Sequence, residues 1–522
     1  MHPFPLKTFF SHDFSFYQHY YSSSITLDVS LQLSMLAKES PLLFWSIIIQ
    51  ASKFHLQHSH LFWPMLAPYQ QLLASHLIRP IHKLPIIHAI LILCFWPLPV
   101  NKQPDDPTWN YCGLITNAAI NIGLHRPGRE REYGFPRSTE RDIELRSRTW
   151  LQIFQLNTLI STRVGVPHPL ADEPSLRNIT QITMDTAISK GVRDEIEIAK
   201  KLAKWTQHLQ LDTKGSMCNS LIQMGRNELE TVQASTRGKW QPEITLQYLG
   251  SKLFLYSWCF HNKHQETDAL NLAPKSPASE PESTLQLLLY EALETATRYI
   301  HTFGELETTR NESQPPLSQN DQSSLVYLSK HYNYTLYHAA LTLYHFLSTI
   351  PSASVSDQEL ARNHIRLAHT ILTRCGVSEH AHEWNRLAHN IELVGEFHKE
   401  GRRLPPEARI ESRLGASLFY DAMLKISVMK AERGVRSAAV DLTQSVNDPL
   451  PDPKMVSGVA QAHGAQPVDA GTVAGGHQQM LNMHGGDAQQ TEWDSGLWGW
   501  DIAMLDAVDL NFDWNSLGDW QP

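Results

Sequence analysis

The sequence predicts an all-α protein, a large multi-helix regulatory body followed by a disordered acidic tail. Three observations predict it. Apolar residues recur at three- and four-residue intervals along most of residues 28–433, which is the period of a helix with one buried face. Convincing alternation of apolar and polar residues, the mark of a strand, is absent. After Lys454 the composition changes: no Lys or Arg follows, and nine acidic residues lie between Asp469 and Asp519.

The boundaries drawn from these shifts give an unassigned N-terminal arm at 1–27, a helical body at 28–437, a flexible linker at 438–490 and an acidic, aromatic segment at 491–522. The chain has 522 residues and 42% hydrophobic residues, enough for a substantial core. Its net charge is −9. Residues up to Lys454 balance, so the deficit belongs to the last segment. A dominant phosphate-binding surface is therefore not expected.

In the body, Ser283 with Gln286 reads as a capping box. It opens a helix to Phe303 with Leu285, Leu288, Leu289, Ala292, Ala296, Tyr299 and Ile300 on one face. A second helix is predicted from Ser323 to Ser348. A third runs from about Asp357 to Cys375 and stops at Gly376 as a C′ residue. A fourth covers Ser378–Lys399, with Trp384, Leu387, Ala388, Ile391 and Val394. A fifth covers Pro406–Arg433. The Pro-containing stretches 264–282 and 305–322 read as loops between helices.

Residues 86–173 are punctuated more sharply. An apolar helix ends at Phe95-Trp96-Pro97. A helix opening near Trp109, capped by Asp106 or Thr108, carries Tyr111, Leu114, Ile115, Ala118, Ala119 and Ile122 on one face, and Gly123 ends it. Thr139 and Asp142 then announce a helix whose first turns hold Glu144, Arg146 and Arg148 before Trp150. The turn Val164 to Glu173 closes it. The charges in those first turns are expected to pair locally or cap neighbouring helices rather than to catalyse.

This series resembles the fungal-specific transcription factor domain, the middle homology region of binuclear zinc-cluster regulators. The residues that carry the resemblance are Trp96, Trp109, Gly123, Leu124, His125, Arg126, Arg146, Arg148, Trp150, Gly165 and Pro167. The WPLP and LHRP variants are most similar to the leucine-biosynthesis and weak-acid-response regulators. Two departures stand out. Val166 occupies a position that is often Arg in the family. The family's N-terminal group of six cysteines, which holds two zinc ions beside a basic segment, is missing. No cofactor is therefore expected in this chain, and zinc only if such a cluster lies outside it. The reading leaves open a truncated gene model or a cluster-less relative. DNA is expected to be reached only through a missing domain or a partner.

The resemblance implies a nuclear regulator, with a small-molecule effector and a homodimer or heterodimer with zinc-cluster factors among its expected partners. The tail supports an activator. Trp493, Trp498, Trp500, Leu505, Phe512, Trp514 and Trp520 interleave with acids, the composition of activation segments. Mutual repulsion of the acids keeps such aromatics available to a coactivator groove.

Other functions find little support. The five cysteines are widely spaced without a CxxC pair, which fits core thiols better than a disulfide framework or a zinc site. His55, His58 and His60, and His380 with His382, lack metal-ligand companions. The apolar run Leu84–Val100 is interrupted by His88 and prolines and falls short of a bilayer span. GxSxG, Walker and GxGxxG motifs are absent, and no enzymatic activity is expected. Arg126–Arg131 and Arg402-Arg403 read as solvated basic faces.

Overall fold

A computed structural model describes residues 33–447, except residues 56, 101–104, 137, 213–214, 216, 237, 271–279, 313–322, 379, 403 and 405–412. It gives no side chains for 33–34, 259–270, 280–284, 308–312 and 434–447. The described residues up to Ser427 form one unit, and those from Val428 onward are assigned to a second.

Among the described residues there are fifteen α-helices and no strand. The N-terminal helices are α1 (Leu33–Glu39), α2 (Pro41–Lys53), α3 (Phe62–Leu77), α4 (Leu84–Phe95) and α5 (Thr108–Asn121). Next come α6 (Glu140–Val164), α7 (Glu173–Asp185), α8 (Lys190–Leu211), α9 (Cys218–Ser235) and α10 (Pro242–Leu270). The last five are α11 (Glu280–Glu312), α12 (Lys330–Thr349), α13 (Val355–Cys375), α14 (His382–Lys399) and α15 (Ser417–Asn447).

Two helices form the axis of the first unit. In α6 every residue from Thr149 to Thr162 is buried, and in α12 every residue from Asn333 to Tyr344. A helix buried on all sides needs neighbours on all sides. Accordingly α6 packs on α4, α5, α7, α8 and α12, and on the short turn Leu414–Ala416. Several of its polar residues find partners within the helix or on α5. Asn157 Nδ2 donates to the Ile153 carbonyl and to Thr116 Oγ1, each at 2.8 Å, and Thr149 Oγ1 donates to the Leu145 carbonyl. From α8 to α14, each helix packs on the next. Several also meet the next but one, as α8 does α10 and α12 does α14.

The sequence signals at α6 are used as written. Thr139 and Asp142 form a capping box, and Gly165 ends the helix at φ +69°. A Cβ at Gly165 would collide with the Arg413 carbonyl, so close approach as well as backbone conformation requires glycine here. At α5, Asp106 is the capping side chain: its Oδ1 accepts from the Thr108 amide at 3.0 Å.

Other boundaries differ from expectation. The helix expected from Ser283 begins at Glu280, so Ser283 lies inside it rather than at its start. The loops placed at 264–282 and 305–322 are shorter, because α10 continues to Leu270 and α11 to Glu312. Helix-compatible Glu305, Leu306 and Glu307 follow Gly304, and the first proline comes only at Pro315. The helix expected from Ser323 is broken: Ser324–Tyr327 is a separate 3-10 turn, Leu328 is extended, and α12 starts after Ser329. Gly376 is not left-handed; its φ is −77°. Glycine is needed there because a Cβ would strike the Asn385 side chain, whose Nδ2 donates to the Gly376 carbonyl at 2.6 Å. The fourth helix starts at His382 rather than Ser378. The fifth opens at Ser417, after residues 405–412, which lie outside the described ones, and continues past the boundary set at 437.

One acid couples this packing to pH. Glu195, on α8, faces Gln155 of α6, whose Nε2 lies 3.5 Å from its carboxylate, and its carbonyl accepts from Gln247 of α10 at 3.0 Å. Burial pushes its carboxyl up to about 7, against the Gln155 contact, and the nearby Glu243 and Asp194 charges add to the rise. A carboxyl raised in the folded state contributes full stability only when protonated. That contribution declines as pH rises from the ordinary value of 4.5 through about 7. At pH 8 the Glu195→Gln variant is expected to be more stable than the wild type by about 3 kcal/mol, with the gap closing toward pH 4.5, as read by urea unfolding.

Candidate functional site

The residues that carry the sequence motif sit mostly where helices end. Trp96 is buried at the C-terminus of α4, and its indole Nε1 donates to the Tyr327 carbonyl at 3.0 Å. Tyr327 in turn donates its hydroxyl to the Phe54 carbonyl, and Gln50 of α2 donates to the Trp96 carbonyl. Trp109 lies partly exposed in the first turn of α5. Gly123 adopts φ +76° under the Tyr133 ring, and Leu124 is buried. Around them a polar junction joins α5, α6 and α7. His125 Nε2 meets the Tyr133 hydroxyl at 3.1 Å, and the Trp150 indole donates to Asn178 Oδ1 at 3.3 Å. Asn178 Nδ2 donates to the His125 carbonyl at 3.0 Å. Arg126 and Pro167 are exposed.

The two arginines of α6 do different work. Arg146 pairs with buried Glu130 at 3.3 Å and donates to the Ile122 carbonyl, which closes the C-terminus of α5. Glu130 also accepts from the Gly128 amide at 2.9 Å, fixing the turn after His125. Arg148 pairs with Glu144 on the same helix and donates to the Ala187 carbonyl. The first pair is buried and the second about a third exposed, so only the first carries a large penalty if broken. His168, in the closing turn, accepts from the Leu170 amide through Nδ1 and lies 2.9 Å from Thr158 Oγ1 through Nε2. Burial lowers its pKa to about 4, so it is a neutral hinge pin rather than a charge.

A second polar centre lies deeper, where α2, α6, α12 and α14 converge on the loop before α5. Lys330 Nζ contacts Asp106 at 2.9 Å and also Glu383; its side chain and that of Asp106 are each 4% exposed. Burial would lower the Lys330 pKa, but Glu383, with Tyr334 and Asp106, holds it above the ordinary value. Burial likewise opposes ionisation of Asp106, yet Lys330, Arg163 and Thr108 hold it well below the carboxylate range. Arg163 approaches Asp106 at 3.9 Å and lies over the Tyr334 ring at 5.1 Å. Arg386 reaches Glu383 at 3.6 Å. Lys53 feels both Glu383 and Lys330, and burial lowers its pKa to about 8.

Of these residues, sequence reasoning singled out the capping role of Asp106 and the motif arginines. It missed Glu130, Asn178, His168, Lys330 and Glu383. A polar side chain between prolines, as at His168, was a usable signal; the long-range pairing of Lys330 had none.

Among the described residues, no group of His, Cys, Asp and Glu is arranged to hold a metal ion. Cys94, Cys112, Cys218 and Cys375 are buried thiols. Among the described residues, no helix is long and apolar enough to cross a membrane. The activation residues expected at Trp493, Trp498, Trp500, Leu505, Phe512, Trp514 and Trp520 lie outside the described residues.

Residues 6–177 match the family described as the fungal specific transcription factor domain. Over that stretch the chain is similar to a fungal transcription factor domain. The match starts within the arm left unassigned by sequence and ends in α7. The family is non-enzymatic. The chain is distantly related to the SEF1 regulators. It is 30% identical over 169 residues to the transcriptional regulatory protein SEF1 of Candida albicans, covering 31% of this chain and 18% of that protein. It is 34% identical over 242 residues to a SEF1 protein of Eremothecium gossypii, covering 43% and 22%. The transcription factor FBD3 of Gibberella moniliformis is 27% identical over 122 residues, covering 23% and 15%. The matched stretches thus span less than a quarter of each relative. No solved structure matches the chain.

Breaking the Glu130–Arg146 pair leaves one buried charge alone. Glu130→Met or Arg146→Met alone is expected to cost about 3–5 kcal/mol in urea unfolding, and the double variant to recover only part of that loss, because the Ile122 carbonyl still lacks its partner.

Proposed function

We propose that this chain is a nuclear transcription regulator whose helical body governs an acidic C-terminal activation segment. The observation that carries the reading is a fungal transcription factor domain at residues 6–177 joined in one sequence to an aromatic, acidic segment with no basic residue after Lys454. The relatives it matches are named as transcription regulators, which supports the same role. In this reading the tail recruits a coactivator through its aromatic residues. The WPLP and LHRP variants keep the leucine-biosynthesis and weak-acid-response regulators as its expected subgroup.

A second reading rests on the cysteines. The sequence holds five, and the four whose side chains are described are buried core thiols, so they do not form a zinc cluster. DNA would then be reached through a zinc cluster outside this sequence, or through a zinc-cluster factor with which the body dimerises.

The first reading is tested on the tail. Fused to an unrelated DNA-binding domain, residues 491–522 are expected to raise reporter transcription several-fold. Replacing Trp498, Trp500, Phe512 and Trp514 together by Ala should return it to background. An inert tail would leave the dimerising, non-activating reading in its place.

A further inference from the structure

Helix α15 runs from the first unit into the second, which begins at Val428. Its first turns are anchored in the body. Phe419 stacks on Tyr334 and meets Tyr337 edge-on, and Ile426 is buried. That anchorage supplies the costly nucleus that an isolated helix must form for itself. From Val428 to Asn447 the helix extends about 30 Å. Helical register places Val428, Ala431, Val435, Ala439 and Leu442 on one stripe, at intervals of three, four, four and three. Lys430, Ser437, Asp441 and Gln444 take positions on the opposite side. Where the stripe begins, Val428 is 37% exposed and Ala431 is exposed as well. The intervals read the same from either end about Val435, and large and small residues alternate with the same symmetry. An antiparallel copy therefore sets Val435 on Val435, Ala431 on Ala439 and Val428 on Leu442. Such a face is complementary to itself, which is what a two-fold interface requires. The alanines let the two helix axes approach closely.

We propose that this stretch of α15 pairs with the same stretch of a second copy of the chain, antiparallel and centred on Val435. The charges follow the same symmetry as the apolar stripe. Glu432 and Arg436 take register positions on one flank of it. In an antiparallel two-fold pair, that flank lies beside the same flank of the second copy. Glu432 then stands only about 3 Å along the axis from Arg436 of the second copy, and the two-fold repeats the match. The contact is short and covers less than the roughly 1,600 Å² of a standard interface, so the dimer dissociates at roughly micromolar concentration. The inference stands apart from the transcriptional reading, because association is measured on the protein alone.

The test is sedimentation velocity of the purified full chain, from about 0.5 to about 200 μM. The 59.4 kDa species is expected to give way to one of twice that mass as concentration rises. Val435→Asp is expected to weaken association about tenfold or more, because it buries a charge at the centre of the stripe. Glu432→Arg should weaken it less, and adding Arg436→Glu should restore it. Orientation is read by cross-linking under oxidised glutathione, against the wild-type chain as background. Val435→Cys is expected to link two copies. Val428→Cys alone should not, since the matching position lies about 21 Å away, but mixed with Leu442→Cys it should. Circular dichroism checks that each variant is folded, and the cysteine mixture decides the matter if Val435→Asp is not. A monomer at every concentration, a dimer that folded Val435→Asp leaves intact, or efficient linking of Val428→Cys to itself overturns the proposal.

Discussion

Lys330 is the point on which the architecture of the body turns. A buried ammonium is tolerated only where carboxylates come to meet it. Here they come from far apart in the chain: Asp106 from the loop before α5, and Glu383 from the first turn of α14. Satisfying that one charge fixes the start of α12, the start of α14 and the entry to α5 against one another. Asp106 is doubly committed, because the same carboxylate caps α5 through the Thr108 amide. The cap and the ion pair are therefore one constraint, linking a local helix start to the long-range assembly.

The motif that marks the domain in sequence does comparable work at the periphery. Arg146 closes the end of α5, Glu130 holds the turn that follows, and Asn178 ties the His125 carbonyl to Trp150. These residues shape helix ends and junctions rather than a catalytic centre. A strong sequence signature here reports on backbone groups that would otherwise be buried without partners.

What the sequence made legible follows from the range of the interactions. The capping box at Thr139, the closing turn from Val164 and the buried face of α11 are encoded within a few residues of where they act, and each is legible in the sequence. The break at Leu328 was not. It depends on Trp96 and Phe54 drawing Tyr327 out of helical line, and no local signal in residues 323–330 announces that pull. The same holds for the candidate site: Lys330 meets Asp106 and Glu383 from distant parts of the chain, and no local signal announces that pairing.

The bond from the Trp96 indole to the Tyr327 carbonyl has a consequence for how the chain is made. Its partners are separated by 231 positions, and the Tyr327–Phe54 contact spans 273. The recognisable domain at residues 6–177 thus leaves the ribosome well before the groups that complete it. Until residues 324–330 emerge, Trp96 lacks its acceptor and Asp106 its lysine. The native packing of the stretch that matches the family model consequently waits on contacts of high sequence separation.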